Sequence, residues 1–211
     1  MDFLAASFIQ NILNFFIQGG PFLYILMLVS IAAVTVIILR ARALREKTVL
    51  VPAICREIER LQPGDSLLPL QELVKKHPSP LGNIITTLFQ HLSWPRSEAV
   101  EAVQTRARHE IARMESGLSL LEIATGISPL LGLLGTLSGL ISIFTSIGAD
   151  PVAVARGIAE ALNATIGGLG VAVPCLVAHS YFQRRVEVMA IEMESVISEL
   201  IAKCYPKNPA E

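Results

Sequence analysis

Charge is what this sequence lacks over its second half. Between Arg113 and Arg184 there is one basic residue, Arg156, and the acidic residues are Glu115, Glu122, Asp150 and Glu160. Ile123 to Ala149 is 27 residues without a formal charge, and Ala161 to Phe182 is another 22. With 52% of all residues hydrophobic and clustered in this way, an ordinary soluble domain is excluded. The net charge of −1 gives no basic field for nucleic acid. Cysteine is scarce: Cys55, Cys175 and Cys204 form no CxxC pair and have no histidine at ligand spacing, which excludes a disulfide framework and a metal cluster. Asp2 is the only charge before Arg40, so the basic region of a secretory signal is missing. No nucleophile–base–acid set is present, and the glycines follow no strand, so a phosphate or dinucleotide loop fails on context. Neither an enzyme nor a cofactor or metal is expected.

The apolar residues fall into three runs of membrane length, for which roughly 20 helical residues suffice. The expected layout is an interfacial amphipathic helix over 1–18, a first span over 19–39, a cytoplasmic segment over 40–117, and a second span over 118–147. A short periplasmic turn over 148–155, a third span over 156–182 and a cytoplasmic tail over 183–211 complete it. The N-terminal helix rests on Leu4, Phe8, Ile12, Phe15 and Phe16 opposing Ser7, Gln10, Asn14 and Gln18, with a loosely ordered tail as the alternative. Twelve of the 17 Lys and Arg lie from Arg40 to Arg113, and Arg184, Arg185, Lys203 and Lys207 follow the third span. The positive-inside rule therefore predicts a periplasmic N-terminus and a cytoplasmic C-terminus in a bacterial inner membrane.

Within the cytoplasmic segment, Gln62-Pro63-Gly64-Asp65 and His77-Pro78-Ser79-Pro80 are helix breaks, and Trp94-Pro95-Arg96-Ser97 is a helix start with Ser97 as the expected cap. The pattern then predicts one helix from about 97 through the second span to about 147. Asp150-Pro151 opens another that runs to about Cys204. The expected fold is an all-α membrane protein with three transmembrane helices. The second and third extend into a cytoplasmic helical bundle.

The candidate chemistry lies in the second and third spans. At 100° per residue, Thr125, Ser128, Gly132, Gly135, Thr136, Gly139, Ser142 and Ser146 share one side of the second span. Such a stripe is either a close helix contact, as Gly135-x-x-x-Gly139 suggests, or the wall of a polar path. On the third span Glu160, Asn163, Ala164, Gly167, Gly170, Val171, Pro174 and Ala178 share a face. A carboxylate in a membrane span is a functional-site hypothesis by default, and a proton is the cation it would handle most readily. The plain alternative is an i,i+4 ion pair with Arg156 at the outer interface. Thr165 lies about 140° from Glu160 on an ideal wheel. It joins the same path only if the bundle presents both faces or Pro174 bends the helix. His77, His91 and His109 read as surface or satisfied residues. His179, at the inner end of span three, is a minor candidate for proton exit.

Gly126-Ile127-Ser128-Pro129-Leu130-Leu131-Gly132-Leu133-Leu134-Gly135-Thr136 resembles the "APLLGLLGT" signature of the MotA/TolQ/ExbB proton-channel family. Gly157 through Thr165, and Gly167 through Pro174, resemble that family's third span. The three-span layout resembles the ExbB/TolQ branch, with a MotA-like stator subunit as an alternative. The resemblance implies homo-oligomers, typically pentamers, with spans two and three around a pore. It also implies a single-span ExbD/TolR-like partner that contributes an Asp, and a TonB- or TolA-like protein on which proton flow does mechanical work. By position Thr136, Glu160 and Thr165 match the family's polar pore residues. Asn163 replaces a usually apolar residue, and Arg156 replaces Pro or a small one. Pro129, Gly132, Gly135, Gly139, Gly167, Gly170 and Pro174 are the expected packing or pore-wall positions. A passive membrane scaffold, in which these positions only pack helices, is the reading from a different class.

Overall fold

A computed structural model describes residues 20–145 and 151–205 of the chain. The helix expected over the first 18 residues lies outside the described residues, as do Ser146, Asp150 and Lys207. Among the described residues the secondary structure is helical throughout: α1 Gly20–Ala43, α2 Glu46–Val49, α3 Pro52–Arg60, α4 Leu68–Lys76, α5 Pro80–Gln90, α6 Arg96–Glu115, α7 Leu118–Thr145 and α8 Pro151–Cys204. Three of them, α1, α7 and α8, are long and apolar enough to cross a membrane. The chain is an all-α membrane protein.

The chain divides into two compact units. One takes in α1 up to Ile38, all of α7, and α8 as far as Ser180. Leu23, Leu26 and Ala33 are the buried side of α1, while Tyr24, Ile25, Leu28 and Ile31 stand exposed on the other. Exposed aliphatic side chains on this scale fit a helix solvated by lipid or by another protein, not by water. Pro129 and Pro174 lie inside α7 and α8 without ending either helix.

The other unit contains Leu39–Ser116 and the chain from Tyr181 onward. Its helices are amphipathic at the expected period. Ile54 and Ile58 of α3, Leu70 and Val74 of α4, and Leu81, Ile84, Ile85 and Leu88 of α5 are all buried. From α8 come Phe182, Val186, Met189, Met193, Ile197 and Leu200, spaced three or four apart. Each fully buried aliphatic side chain contributes about 2 kcal/mol. The breaks have identifiable chemistry. The Asp65 amide donates to Gln62 O at 3.1 Å across Pro63-Gly64, and the Gln62 amide donates to Asp65 Oδ2 at 2.8 Å. At the start of α5, Ser79 Oγ accepts from the Gly82 amide at 3.1 Å, with Pro80 in the first turn.

Two expectations need correction. Ser97 does not cap α6; it lies inside that helix, which starts at Arg96 after Pro95. The single helix expected from about 97 to about 147 is two helices. Ser116 is extended (φ −49°, ψ 131°) and Gly117 is left-handed at φ +84°, a conformation that side chains resist and glycine tolerates. The α6 helix therefore ends before the second span begins.

Lys203 joins the two chain segments of this unit. Its Nζ donates to Ile58 O at 2.6 Å and Glu59 O at 3.2 Å, and pairs with Glu199 Oε1 at 2.5 Å. A cation on the last carbonyls of α3 adds a donor beyond the Leu61 amide that reaches Ile58 O at 3.2 Å, and complements the helix dipole. Lys203→Met should lower stability by about 1 kcal/mol. Thermal unfolding of the purified protein checks this, and an unchanged midpoint would show the contact to be idle.

Candidate functional site

Glycine sets the spacing of α7 and α8. A Cβ built on Gly132 would lie 2.8 Å from Ala164 O and 3.1 Å from Thr165 Cα. One built on Gly168 would lie 2.6 Å from Ser128 O and 3.0 Å from Gly132 Cα. Real Cβ atoms do not come so close to backbone, so the two helices touch main chain to main chain at this level. Farther along, Gly135 faces Ala164 Cβ, Gly139 faces Ala161 Cβ, and Gly157 faces the Ile143 side chain. Ala161, Ala164, Gly168, Ala172 and Cys175 form the buried stripe of α8.

That close approach brings two hydroxyls together. Thr136 Oγ1 and Thr165 Oγ1 are 2.5 Å apart, one from each span. Around them are two backbone acceptors. Thr136 Oγ1 lies 3.1 Å from both Gly132 O and Ala161 O, and Thr165 Oγ1 lies 3.4 Å from Gly132 O. Each hydroxyl has one proton to donate, so the cluster has two arrangements. Either Thr165 donates to Thr136, which donates to Ala161 O or Gly132 O, or Thr136 donates to Thr165, which donates to Gly132 O. Both threonines are half-buried. The direction of donation between the two hydroxyls can therefore reverse, each arrangement ending on a backbone carbonyl.

The other expected site residues are placed as follows. Glu160 and Arg156 lie in α8 by backbone, about 7.5 Å and 13 Å along the axis before Thr165; their side chains, and that of Ser142, lie outside the described residues. Asn163 is half-buried, on the opposite side of α8 from the buried stripe. Gly167 is half-buried, while Gly170 is exposed with nothing within 4 Å of a Cβ built on it. These two share the Asn163 side with Pro174. The glycine of α8 that meets the main chain of α7 is Gly168, next to the expected Gly167. Ser128 is fully buried, its hydroxyl without a hydrogen-bond partner among the described residues. Thr125 donates to Leu121 O along its own helix at 2.9 Å.

Sequence reasoning missed one buried charge in the other unit. Glu110 is 3% exposed. Its Oε1 takes the Arg106 guanidinium at 2.6 Å and the Asn83 amide at 3.1 Å, with Arg113 at 3.8 Å. The i,i+4 and i,i+3 spacing to the arginines was the available signal. Asn83, 27 residues away, gave none. His91 is a satisfied residue: Nδ1 lies 2.7 Å from Thr87 O, and the ring sits edge-on to Trp94. A carbonyl only accepts, so that nitrogen carries the proton. Burial pushes the Cys55 thiol above its ordinary range, and Glu59 and Glu192 add to the rise against its own backbone hydrogen bond. No cluster of His, Cys, Asp or Glu among the described residues could hold a metal ion.

The described residues define a three-span helical membrane protein whose second and third spans meet at a hydroxyl-bearing glycine seam. The comparison with known sequences is more specific. The profile of the MotA/TolQ/ExbB proton channel family matches residues 76–195, more than half of the chain. An ExbB homolog of Methanothermobacter thermautotrophicus is 30% identical over 185 residues, covering 86% of this chain and 66% of that protein. The biopolymer transport protein ExbB of Neisseria gonorrhoeae is 27% identical over 153 residues, 64% of this chain and 70% of that one. The exbB1 protein of Vibrio cholerae is 35% identical over 97 residues, 44% and 42% of the two chains. The chain spans about two thirds of the length of the first of these relatives and less than half of the Vibrio protein. The chain belongs to the MotA/TolQ/ExbB proton channel family, and within it to the ExbB branch.

Proposed function

We propose that this chain is the channel-forming subunit of an ExbB/TolQ-like motor in the bacterial inner membrane. It converts the proton motive force into mechanical work on a TonB- or TolA-like protein, for outer-membrane transport or envelope maintenance. The working unit is a homo-oligomer, a pentamer in this reading, around a single-span ExbD/TolR-like partner whose Asp takes up protons. The N-terminus is periplasmic, and residues 40–117 and the C-terminal tail are cytoplasmic. Each proton falling through about 100 mV supplies roughly 2.3 kcal/mol from the electrical term alone, so several protons per cycle can bias a bistable bundle.

The observation that best supports this reading is the reversible Thr136–Thr165 donor chain, which links the two spans within two turns of Glu160. Glu160 sets the electrostatics of the path or exchanges protons with it, and Asn163 adds a polar group on the side of α8 away from the seam. The test is reconstitution with the single-span partner in liposomes, with proton uptake measured under an imposed potential. Glu160→Gln should abolish uptake while leaving the complex intact. Full uptake in that variant would remove Glu160 from the path.

The tightness of the glycine seam would serve a passive scaffold equally well, with Glu160 held by Arg156. In that case Arg156→Gln and Glu160→Gln would destabilise the protein alike, and neither would alter proton uptake.

A further inference from the structure

A cavity of about 300 Å³ lies within the unit that contains Leu39–Ser116. Its polar lining is Arg40, Thr48, Ser79, Asn83, Glu110 and Arg113. Ser79 and Glu110 are 4% and 3% exposed, so the floor is built rather than accidental. Three sources of positive potential meet there. Arg40 is half-buried in the last turn of α1, and no acidic group among the described residues pairs with it. Arg113 stands 3.8 Å from Glu110 with most of its side chain exposed. The N-terminus of α5 opens at Ser79-Pro80, and although Ser79 Oγ already takes the Gly82 amide, the positive end of the helix dipole favours an anion. Against these stands one carboxylate, Glu110, already occupied by Arg106 and Asn83. Three guanidiniums (Arg40, Arg106, Arg113) and one carboxylate leave two positive charges.

The position along the chain says which anion. Arg40 directly follows the apolar run that ends at Ile38-Leu39, and Arg113 precedes Leu118, the first residue of the second span's helix, by five residues. Both cations therefore stand where the chain enters or leaves the bilayer, on the side richest in Lys and Arg. The anion that suits this position is the phosphodiester of a lipid. We propose that this cavity binds the headgroup of an anionic phospholipid of the cytoplasmic leaflet, with Arg40 and Arg113 on the phosphate and Thr48 as a further donor. Basic pockets beside transmembrane helices on this side of a membrane are suited to that chemistry.

The test uses the full chain, purified in detergent and stripped of lipid. Native mass spectrometry would measure binding of phosphatidylglycerol and of phosphatidylcholine with the same acyl chains. Phosphatidylglycerol should bind more tightly, and the Arg40→Gln/Arg113→Gln double variant should lose roughly thirty-fold in its affinity, from two lost basic contacts at an anionic surface. Arg40→Lys/Arg113→Lys should retain most of the binding, which separates lost charge from lost fold. Arg56→Gln/Arg60→Gln removes two exposed cations outside the cavity and should leave binding unchanged. Equal binding of the two lipids would overturn the proposal. So would equal weakening in the outside control, or inorganic phosphate displacing the lipid at the lipid's own concentration, which would make the site one for a soluble phosphate.

Discussion

Gly168→Ala is expected to force the second and third spans apart, whereas Gly170→Ala, two residues on, should be neutral or mildly stabilising. The added carbon at 168 would lie 2.6 Å from Ser128 O and 3.0 Å from Gly132 Cα, and both atoms are main chain. No rotamer change relieves such a contact; one helix has to move. Overpacking of this kind costs about 1–3 kcal/mol, and backbone obstacles place this case at the upper end. Displacement by even half an ångström also weakens the Thr136–Thr165 bond, so proton uptake should fall with stability. At Gly170 a Cβ meets nothing within 4 Å, and alanine is the better helix former by about 1 kcal/mol. Melting of the purified protein, with cysteine crosslinking between the two spans, distinguishes the pair. A Gly168→Ala protein that melts at or above the wild-type temperature would mean that the spans do not meet at this glycine.

The second large effect concerns chemistry more than stability. Thr136→Val keeps the shape and removes the hydroxyl that reaches both Gly132 O and Ala161 O. Among the described residues Thr165 then retains its 3.4 Å contact to Gly132 O. The chain of donors is cut. Losing one positioned proton-transfer group typically costs about a hundred-fold or more in rate, so proton uptake should drop by roughly that factor. Stability should change by only about 1 kcal/mol. If the two hydroxyls act as one relay, Thr136→Val/Thr165→Val will be little worse than either single variant. Thr136→Ser should restore uptake. Additive losses in the double variant, or wild-type uptake in Thr136→Val, would show that protons do not use this pair.

The three spans and the hydroxyl stripe of α7 were legible because both are periodic in one dimension. A wheel drawn at 100° per residue needs no partner. What joins α7 to α8 was not legible, since Thr136 and Thr165 are 29 residues apart and nothing in either helix fixes their relative register. The contact of Gly168 with α7 was not legible for the same reason. A wheel anchored on Glu160 selects residues that face with it, whereas the contact stripe of α8 is set by Ala161, Ala164 and Ala172. Alanines are easily read as background. The break at Gly117 was hidden for another reason: within a helical pattern, a glycine is as consistent with close packing as with a left-handed turn. The Glu110 cluster depends on α5 bringing Asn83 to α6, which local periodicity does not encode.

Pro174 has a bearing on where water goes. A proline has no N–H, so the carbonyl of Gly170, four residues earlier in α8, lacks the donor that every ordinary helical turn provides. Gly170 is exposed, with open space where a side chain would project. Hydrocarbon offers no hydrogen bond, and an orphan acceptor in it costs several kcal/mol. The side of α8 that bears Asn163, Gly167, Gly170 and Pro174 is thus better solvated than greased. If the proposed oligomer forms, this is the side expected to face away from the acyl chains, towards hydration or a polar surface.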